Sequence, residues 1–311
     1  MRLFEPRREL GRTGFRATVL GIGDVADRSV PREQCVATLR RALDAGLNVI
    51  DTAPNYEEGL SEEIVGVAVE DRRSEVFVIS KVDDLRGDVE AQIEGSLARL
   101  QLQRTDAFVF HNVSRLEDWR HIATAGRGLD RLGSAVREGR TRFRGISSHH
   151  PDVLHAALDD GRCDLVMFPI GPFVDPRYVE EILPAAKELG IGTVCFKTFG
   201  AGKLLGDTTG YNQPLQVRPR GKISSGGREG ADSQLPRLGV AECLHYTMTL
   251  DPDVALLGMS FPNEQDAAFA GARSFEALSP EALAAIRARA VLAIEGKGPV
   301  WWNPEPSPVT T

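Results

Sequence analysis

Short apolar runs rich in β-branched and aromatic residues recur along the chain, each followed by a longer stretch whose apolar positions return at helical spacing. That alternation is the pattern of strands joined by crossover helices in a parallel sheet. Eight runs have strand character: 17–23, 47–51, 75–81, 106–111, 141–147, 164–168, 192–197 and 254–258. Helical spacing predicts helices over 31–45, 61–69, 88–100, 129–138, 151–159, 177–189, 238–249 and 279–294. Pro31 near the start of the first and Gly46 after its end fit the usual helix punctuation. Eight strands alternating with eight helices predict a closed (β/α)8 TIM barrel, a single domain over residues 1–311. The rival, a doubly wound sheet, is disfavoured because Gly21 to Gly23 gives only G-x-G, without the third glycine and helix start of a dinucleotide fingerprint.

Two segments break the rhythm. Residues 200–236 contain GDTTGYNQPL and GKISSGGREGAD, a glycine-rich polar stretch that predicts a long mobile loop after the seventh strand. Residues 296–311 form a proline-rich tail carrying Trp301 and Trp302, which either folds over the barrel mouth or covers barrel surface.

Composition changes this picture little. Hydrophobic residues make up 42% and charged residues 26% of the 311, as in a well-buried globular chain. The net charge of −7 comes without a basic stripe, which argues against nucleic acid or an anionic membrane as partner. No apolar run reaches the length of a transmembrane helix and no signal peptide is evident at the N-terminus, so a cytoplasmic location is expected; oligomeric state is left open. Cys35, Cys163, Cys195 and Cys243 are dispersed and predict reduced core thiols. The adjacent His149 and His150 are poorly placed to share one metal, and no metal site is expected.

The candidate chemistry lies at strand ends. Asp51, Lys81 and His111 close the second, third and fourth runs, each separated from the next by 30 residues, with Tyr56 just beyond the first of them. Successive parallel strands deliver such residues to one rim, which in this barrel is the catalytic face. Taken singly, each has an ordinary structural explanation: a turn cap, a solvated lysine, a hydrogen-bonded core histidine. Together they predict an acid–base site in which Asp51 holds Lys81, and the Lys81 ammonium brings the Tyr56 phenol below its reference value near ~10. His111 would orient a substrate oxygen or relay a proton.

These residues, with LGRTG, VLGIG, DTAPNYEEGLSEEIVG, ISK, FVFH, RGISSHHPDVL, FKTFGAGKLLG and LLGMSFPNEQ, make the chain resemble the aldo-keto reductase family over nearly its whole length. The resemblance implies catalytic roles for Asp51, Tyr56, Lys81 and His111, a nicotinamide cofactor held at the strand C-termini, and a small carbonyl or alcohol as substrate. Hydride would pass between cofactor and substrate carbon while Tyr56 gives or takes the proton. It also implies cofactor contacts at Gly23, Asp24, Asp51, Ser147, Ser148, Met167, Phe196, Lys197, Gly200, Gly202, Leu204, Gly258, Ser260 and Gln265. Substrate contacts are expected from Asp24, Tyr56, His111, Trp119, Trp301 and Trp302.

The pattern departs from the family at the cofactor. Ser148 replaces an asparagine and Met167 a glutamine that bond the nicotinamide carboxamide, and methionine cannot donate a hydrogen bond. Gln265 stands where many members carry an arginine for the 2′-phosphate; Arg218, Arg220, Lys222 or Arg228 on the long loop would have to compensate. NADP(H) is favoured, with NAD(H) close behind. Two alternatives stand beside the reductase reading: a sugar- or polyketide-tailoring oxidoreductase with retained cofactor, and a non-catalytic regulatory subunit on the same fold.

Overall fold

The computed structural model describes Phe4 and residues 7–205, 236–298 and 300–303. Eight parallel strands close a barrel: β1 (Leu20–Ile22), β2 (Val49–Asp51), β3 (Phe77–Val82), β4 (Thr105–Phe110), β5 (Thr141–Ser147), β6 (Leu165–Pro169), β7 (Gly192–Phe196) and β8 (Val254–Leu257). β8 pairs with both β7 and β1, which closes the ring. All eight fall within or overlap the predicted runs.

The described helices are α1 (Arg32–Asp44), α2 (Leu60–Val69), α3 (Val89–Leu100), α4 (Leu116–Ala123), α5 (Gly128–Arg137), α6 (Pro151–Asp160), α7 (Leu183–Glu188), α8 (Val240–Thr249), α9 (Pro262–Arg273) and α10 (Pro280–Ile294). Two of them, α4 and α9, were not predicted. Glycine lets α2 lie against α3: a Cβ at Gly66 would stand 2.1 Å from the Leu100 carbonyl oxygen.

Period-two alternation sorts each strand into an inner and an outer face. Val49, Phe77, Ile79, Ala107, Val109, Leu165, Met167, Val194, Val254 and Leu256 fill the lumen together with Leu10 and Ala17. The outward residues, among them Ile50, Val78, Val82, Phe108 and Phe110, pack in the layer beneath the helices. An antiparallel pair of two-residue strands, Arg8–Glu9 and Arg16–Ala17, accompanies the Leu10 and Ala17 plug. Along β3 the inward series is Phe77, Ile79, Lys81: apolar below, charged at the rim.

The loop predicted over 200–236 lies mostly outside the described residues; its first turn, Gly200–Leu205, and Pro236 are seen. The tail is described at 296–298 and 300–303. All four cysteines are buried and unpaired. No described helix is long and apolar enough to cross a membrane.

Candidate active site

Lys81 is the centre of the site. Its position on the inner face of β3 leaves it 2% exposed, and an ammonium so placed requires partners. Nζ lies 2.7 Å from Asp51 Oδ1, 2.9 Å from the Thr52 carbonyl oxygen and 3.0 Å from the Tyr56 hydroxyl. Burial alone would lower the lysine pKa, but the Asp51 charge and the bonds to Asp51 and Tyr56 together raise it. Burial raises the Asp51 carboxyl, and Lys81 opposes that rise. At neutral pH the pair is best described as an ammonium beside a carboxylate.

Tyr56 reaches this pair from a tight turn. Glu57, Glu58 and Gly59 occupy the left-handed region in succession, with φ of 47°, 53° and 91°, which turns the chain from β2 into α2. Such a conformation is strained for the two glutamates. Arg28 braces it, donating to the Glu57 carbonyl oxygen at 2.8 Å and pairing with the Glu58 carboxylate at 2.8 Å. The expectation that Lys81 would bring the phenol below its ordinary value is not met. Burial dominates, with Asp51 and Asp24 adding to it and Lys81 opposing, and Tyr56 is pushed up to about 12.

His111 follows β4 directly and stands edge-on to Tyr56, the ring centroids 5.6 Å apart. Its Nδ1 lies 2.5 Å from Asp83 Oδ1, so the carboxylate fixes the ring and leaves Nε2 for the site. Burial holds the His111 pKa below the ordinary histidine value despite Asp83, so the ring is mainly neutral at pH 7. Asp83 was missed in the sequence; the only signal was an acid two residues beyond Lys81. Asp51, Tyr56, Lys81 and His111 are thus brought together as predicted.

Around this core the other candidates separate. Gly23 and Gly258 lie at the rim, where the Gly23 amide donates to the Leu257 carbonyl at 2.9 Å and a Cβ at Gly258 would meet nothing within 4 Å. Asp24 accepts from the Ala26 amide, and its carbonyl takes a long 3.4 Å bond from the Ser260 hydroxyl. Ser147 Oγ accepts from the Asn112 amide at 2.9 Å. Ser148, fully buried, is tied to the backbone of His150, which removes its hydroxyl from a role at the rim. Met167 is buried in the lumen opposite Ser147.

Phe196 ends β7 and Lys197 follows it. Lys197 has φ of 74°, and its Nζ lies 5.5 Å from the Phe196 ring, 5.3 Å from Trp301 and 5.9 Å from Trp302. Burial lowers its pKa to about 8. The following amides are already used: Gly200 N donates to Lys197, Gly202 N and Leu204 N to Phe199. The Leu204 side chain is core, and the cofactor contact expected of this turn finds the N–H groups of those three residues already engaged.

Gln265 is a packing residue rather than a surface contact. Fully buried, it donates to the Thr38 carbonyl at 2.8 Å and accepts from Arg41 at 3.0 Å. Arg41 also bonds the Pro262 carbonyl and pairs with Asp266 at 2.5 Å. Arg218, Arg220, Lys222 and Arg228 lie outside the described residues. Trp119 is corrected outright: it sits 6% exposed in α4, packed into the layer beneath the helices. Trp302 is fully buried, donating to the Phe173 carbonyl at 2.9 Å and accepting from the Tyr178 hydroxyl at 3.2 Å on its own carbonyl. Trp301 leans edge-on against it at 4.9 Å and is 38% exposed. No cluster of His, Cys, Asp and Glu suited to a metal occurs among the described residues.

A parallel eightfold barrel with a buried lysine and aspartate beside a half-buried tyrosine and histidine at its C-terminal rim defines a class of acid–base site. The fit to a nicotinamide cofactor is tested by three features: open space at Gly258, a lysine just after β7 with no carboxylate partner among the described residues, and a buried histidine nitrogen, His149 Nε2, with no partner among them. All three suit a polar ligand lying along this rim.

The model of the aldo/keto reductase family matches residues 18–251, and the chain belongs to that family. L-galactose dehydrogenase of Arabidopsis thaliana is 29% identical over 214 residues, 63% of this chain and 66% of that protein. NADH-specific methylglyoxal reductase of Escherichia coli is 27% identical over 222 residues, 64% of this chain and 67% of that protein. The chain spans about two thirds of the length of these curated relatives. An aldo-keto reductase from Klebsiella pneumoniae solved in complex with NADPH superposes with a TM-score of 0.66 at 21% identity, covering 90% of this chain and 94% of that one.

Proposed function

We propose that this chain reduces an aldehyde or ketone of a small polar or cyclic molecule to the alcohol, with Tyr56 as the proton donor and a nicotinamide cofactor as hydride source. The observation that carries this reading is the Tyr56 hydroxyl 3.0 Å from the Lys81 ammonium, itself paired with Asp51 at 2.7 Å. When bound, the cofactor supplies hydride to the carbonyl carbon. Tyr56 supplies the proton to the carbonyl oxygen as negative charge develops there. Lys81 stabilises the phenolate left behind, and Asp51 keeps Lys81 charged and aimed. His111, its ring fixed by Asp83, offers Nε2 to the same oxygen and orients the carbonyl.

Tyr56, its phenol pushed up to about 12, is protonated at neutral pH and holds the proton that reduction needs, whereas alcohol oxidation starts from the phenolate. The second reading, oxidation of a sugar, draws on the dehydrogenase name of the Arabidopsis relative; it requires that ligands lower the phenol value. The non-catalytic reading has no support from a rim that retains all four side chains.

Phe196 would stack on the nicotinamide, with Ser147, Lys197, Gly23, Asp24, Gly258 and Ser260 lining the rest of the path. NADP(H) remains the favoured cofactor and NAD(H) the alternative. Arg41, beside Gln265 and Pro262, is a cation for a 2′-phosphate only if it gives up Asp266. Fluorimetric titration with NADPH and NADH in parallel tests the preference. For the acid, Tyr56→Phe is expected to retain cofactor affinity while carbonyl turnover drops roughly 10²- to 10⁴-fold; undiminished turnover would refute the assignment.

A further inference from the structure

His149 follows β5 by two residues and lies against Phe196, the ring centroids 5.1 Å apart and tilted by 52°. Its Nδ1 is 3.0 Å from Asn112 Oδ1, an oxygen that also accepts from the Ser114 hydroxyl at 2.6 Å. An acceptor at Nδ1 puts the single proton of a neutral ring there and leaves Nε2 with a lone pair. The ring is neutral: burial, with help from the Lys197 charge, lowers its pKa to about 3. Nε2 is buried and has no hydrogen-bond partner among the described residues. A buried acceptor left unmade is costly, so the site is built for a donor that arrives with a ligand.

The donor required is an uncharged N–H or O–H group, because Lys197 already places positive charge nearby. Ser147 stands at the end of the same strand. Its Oγ accepts from the Asn112 amide at 2.9 Å, so its own proton remains available to give. Ser147 as donor and His149 as acceptor, beside an aromatic platform, are complementary to a primary carboxamide. The backbone holding them is specialised, since Asn112 sits in the left-handed region at φ 53°, a conformation asparagine tolerates.

We propose that His149 Nε2 accepts the N–H of the nicotinamide carboxamide, taking over the recognition that Ser148, tied to His150, and Met167, sunk in the lumen, do not provide. The assignment rests on the nicotinamide-dependent reading above. It makes His149 a cofactor-positioning residue.

The test compares two oxidised cofactors by isothermal titration of the purified full chain: NADP⁺ and its 3-acetylpyridine analogue, in which a methyl group replaces the amide nitrogen. Wild type is expected to bind NADP⁺ on the order of 10-fold more tightly than the analogue. His149→Phe is expected to lose that preference by weakening NADP⁺ alone, and His149→Gln, which keeps an acceptor, to recover part of it. Equal affinities in wild type, or equal weakening of both ligands in His149→Phe, would overturn the assignment while leaving the functional reading intact. Absence of binding by NADP⁺ and NAD⁺ alike would overturn the functional reading and the assignment with it. Should His149→Phe not fold, His149→Leu carries the same comparison.

Discussion

Lys81 and Asp51 illustrate how much of the site is a problem of burial. Each is nearly inaccessible, and each is tolerable only because of the other. Lys81→Met should therefore cost about 3–5 kcal/mol of folding stability at neutral pH, because it leaves a buried carboxylate without its counter-charge. The cost should depend on pH. Without Lys81, the Asp51 pKa in the folded state, already raised by burial, rises further above its unfolded value. Such a group favours folding below its unfolded pKa and loses that contribution as pH rises through the folded one. Urea titrations should thus show a small deficit near pH 4 and the full deficit by pH 7; a deficit constant with pH would contradict the account. The tetrad itself was legible in the sequence, since period-two alternation and the 30-residue recurrence both point to one rim. Asp83 behind His111 and Asn112 behind His149 were not, because each pairing depends on how neighbouring strands and loops are staggered.

Among the elements, α2 and α3 meet where Gly66 leaves no room for a side chain. Gly66→Ala is expected to force these helices apart and lower stability by about 1–3 kcal/mol, read from denaturant midpoints. The neighbouring Glu62, Ser80 and Arg99 contacts at 2.6 Å between α2, β3 and α3 would shift with them. A surface control is Asp88, whose carboxylate caps α3 by accepting from the Glu90 and Ala91 amides; Asp88→Ala should cost about 1 kcal/mol by the same measurement. Most strands were legible because they are buried on both faces and read as apolar runs, whereas β5 carries an exposed Arg142 and half-buried Phe143 and Arg144. The two missed helices are short or poor in large apolar residues: α4 is eight residues long with Leu116, Trp119, Ile122 and Ala123, and α9 has Phe269 as its one large apolar side chain beside four alanines and a glycine. Missing α4 is also why Trp119 was assigned to the mouth.

Across the whole molecule, the C-terminal tail is bound into the fold by several side chains: Lys297 donates to the Lys203 and Pro236 carbonyls, Asn303 accepts from the Asp175 amide, and Trp302 is buried. Trp302 is fully enclosed, and its contacts with Phe173 and Tyr178 fasten the tail to the segment after β6 while Trp301 stands over Lys197. Trp302→Ala should cost about 3–5 kcal/mol, measured by thermal or chemical unfolding; a change within about 0.5 kcal/mol would mean that the tail is merely draped on the surface. The sequence marked the tryptophan pair but could not choose between cover and packing, since that choice is set by a long-range contact. Barrel closure has its own consequence. β8 is the strand that joins β7 to β1, and it comes after nearly all the rest of the chain. A nascent polypeptide emerging from the ribosome therefore carries two raw sheet edges until residues 254–257 appear, a template for pairing with other chains. Synthesis stalled before that point would leave sticky, unfinished protein for chaperones to hold.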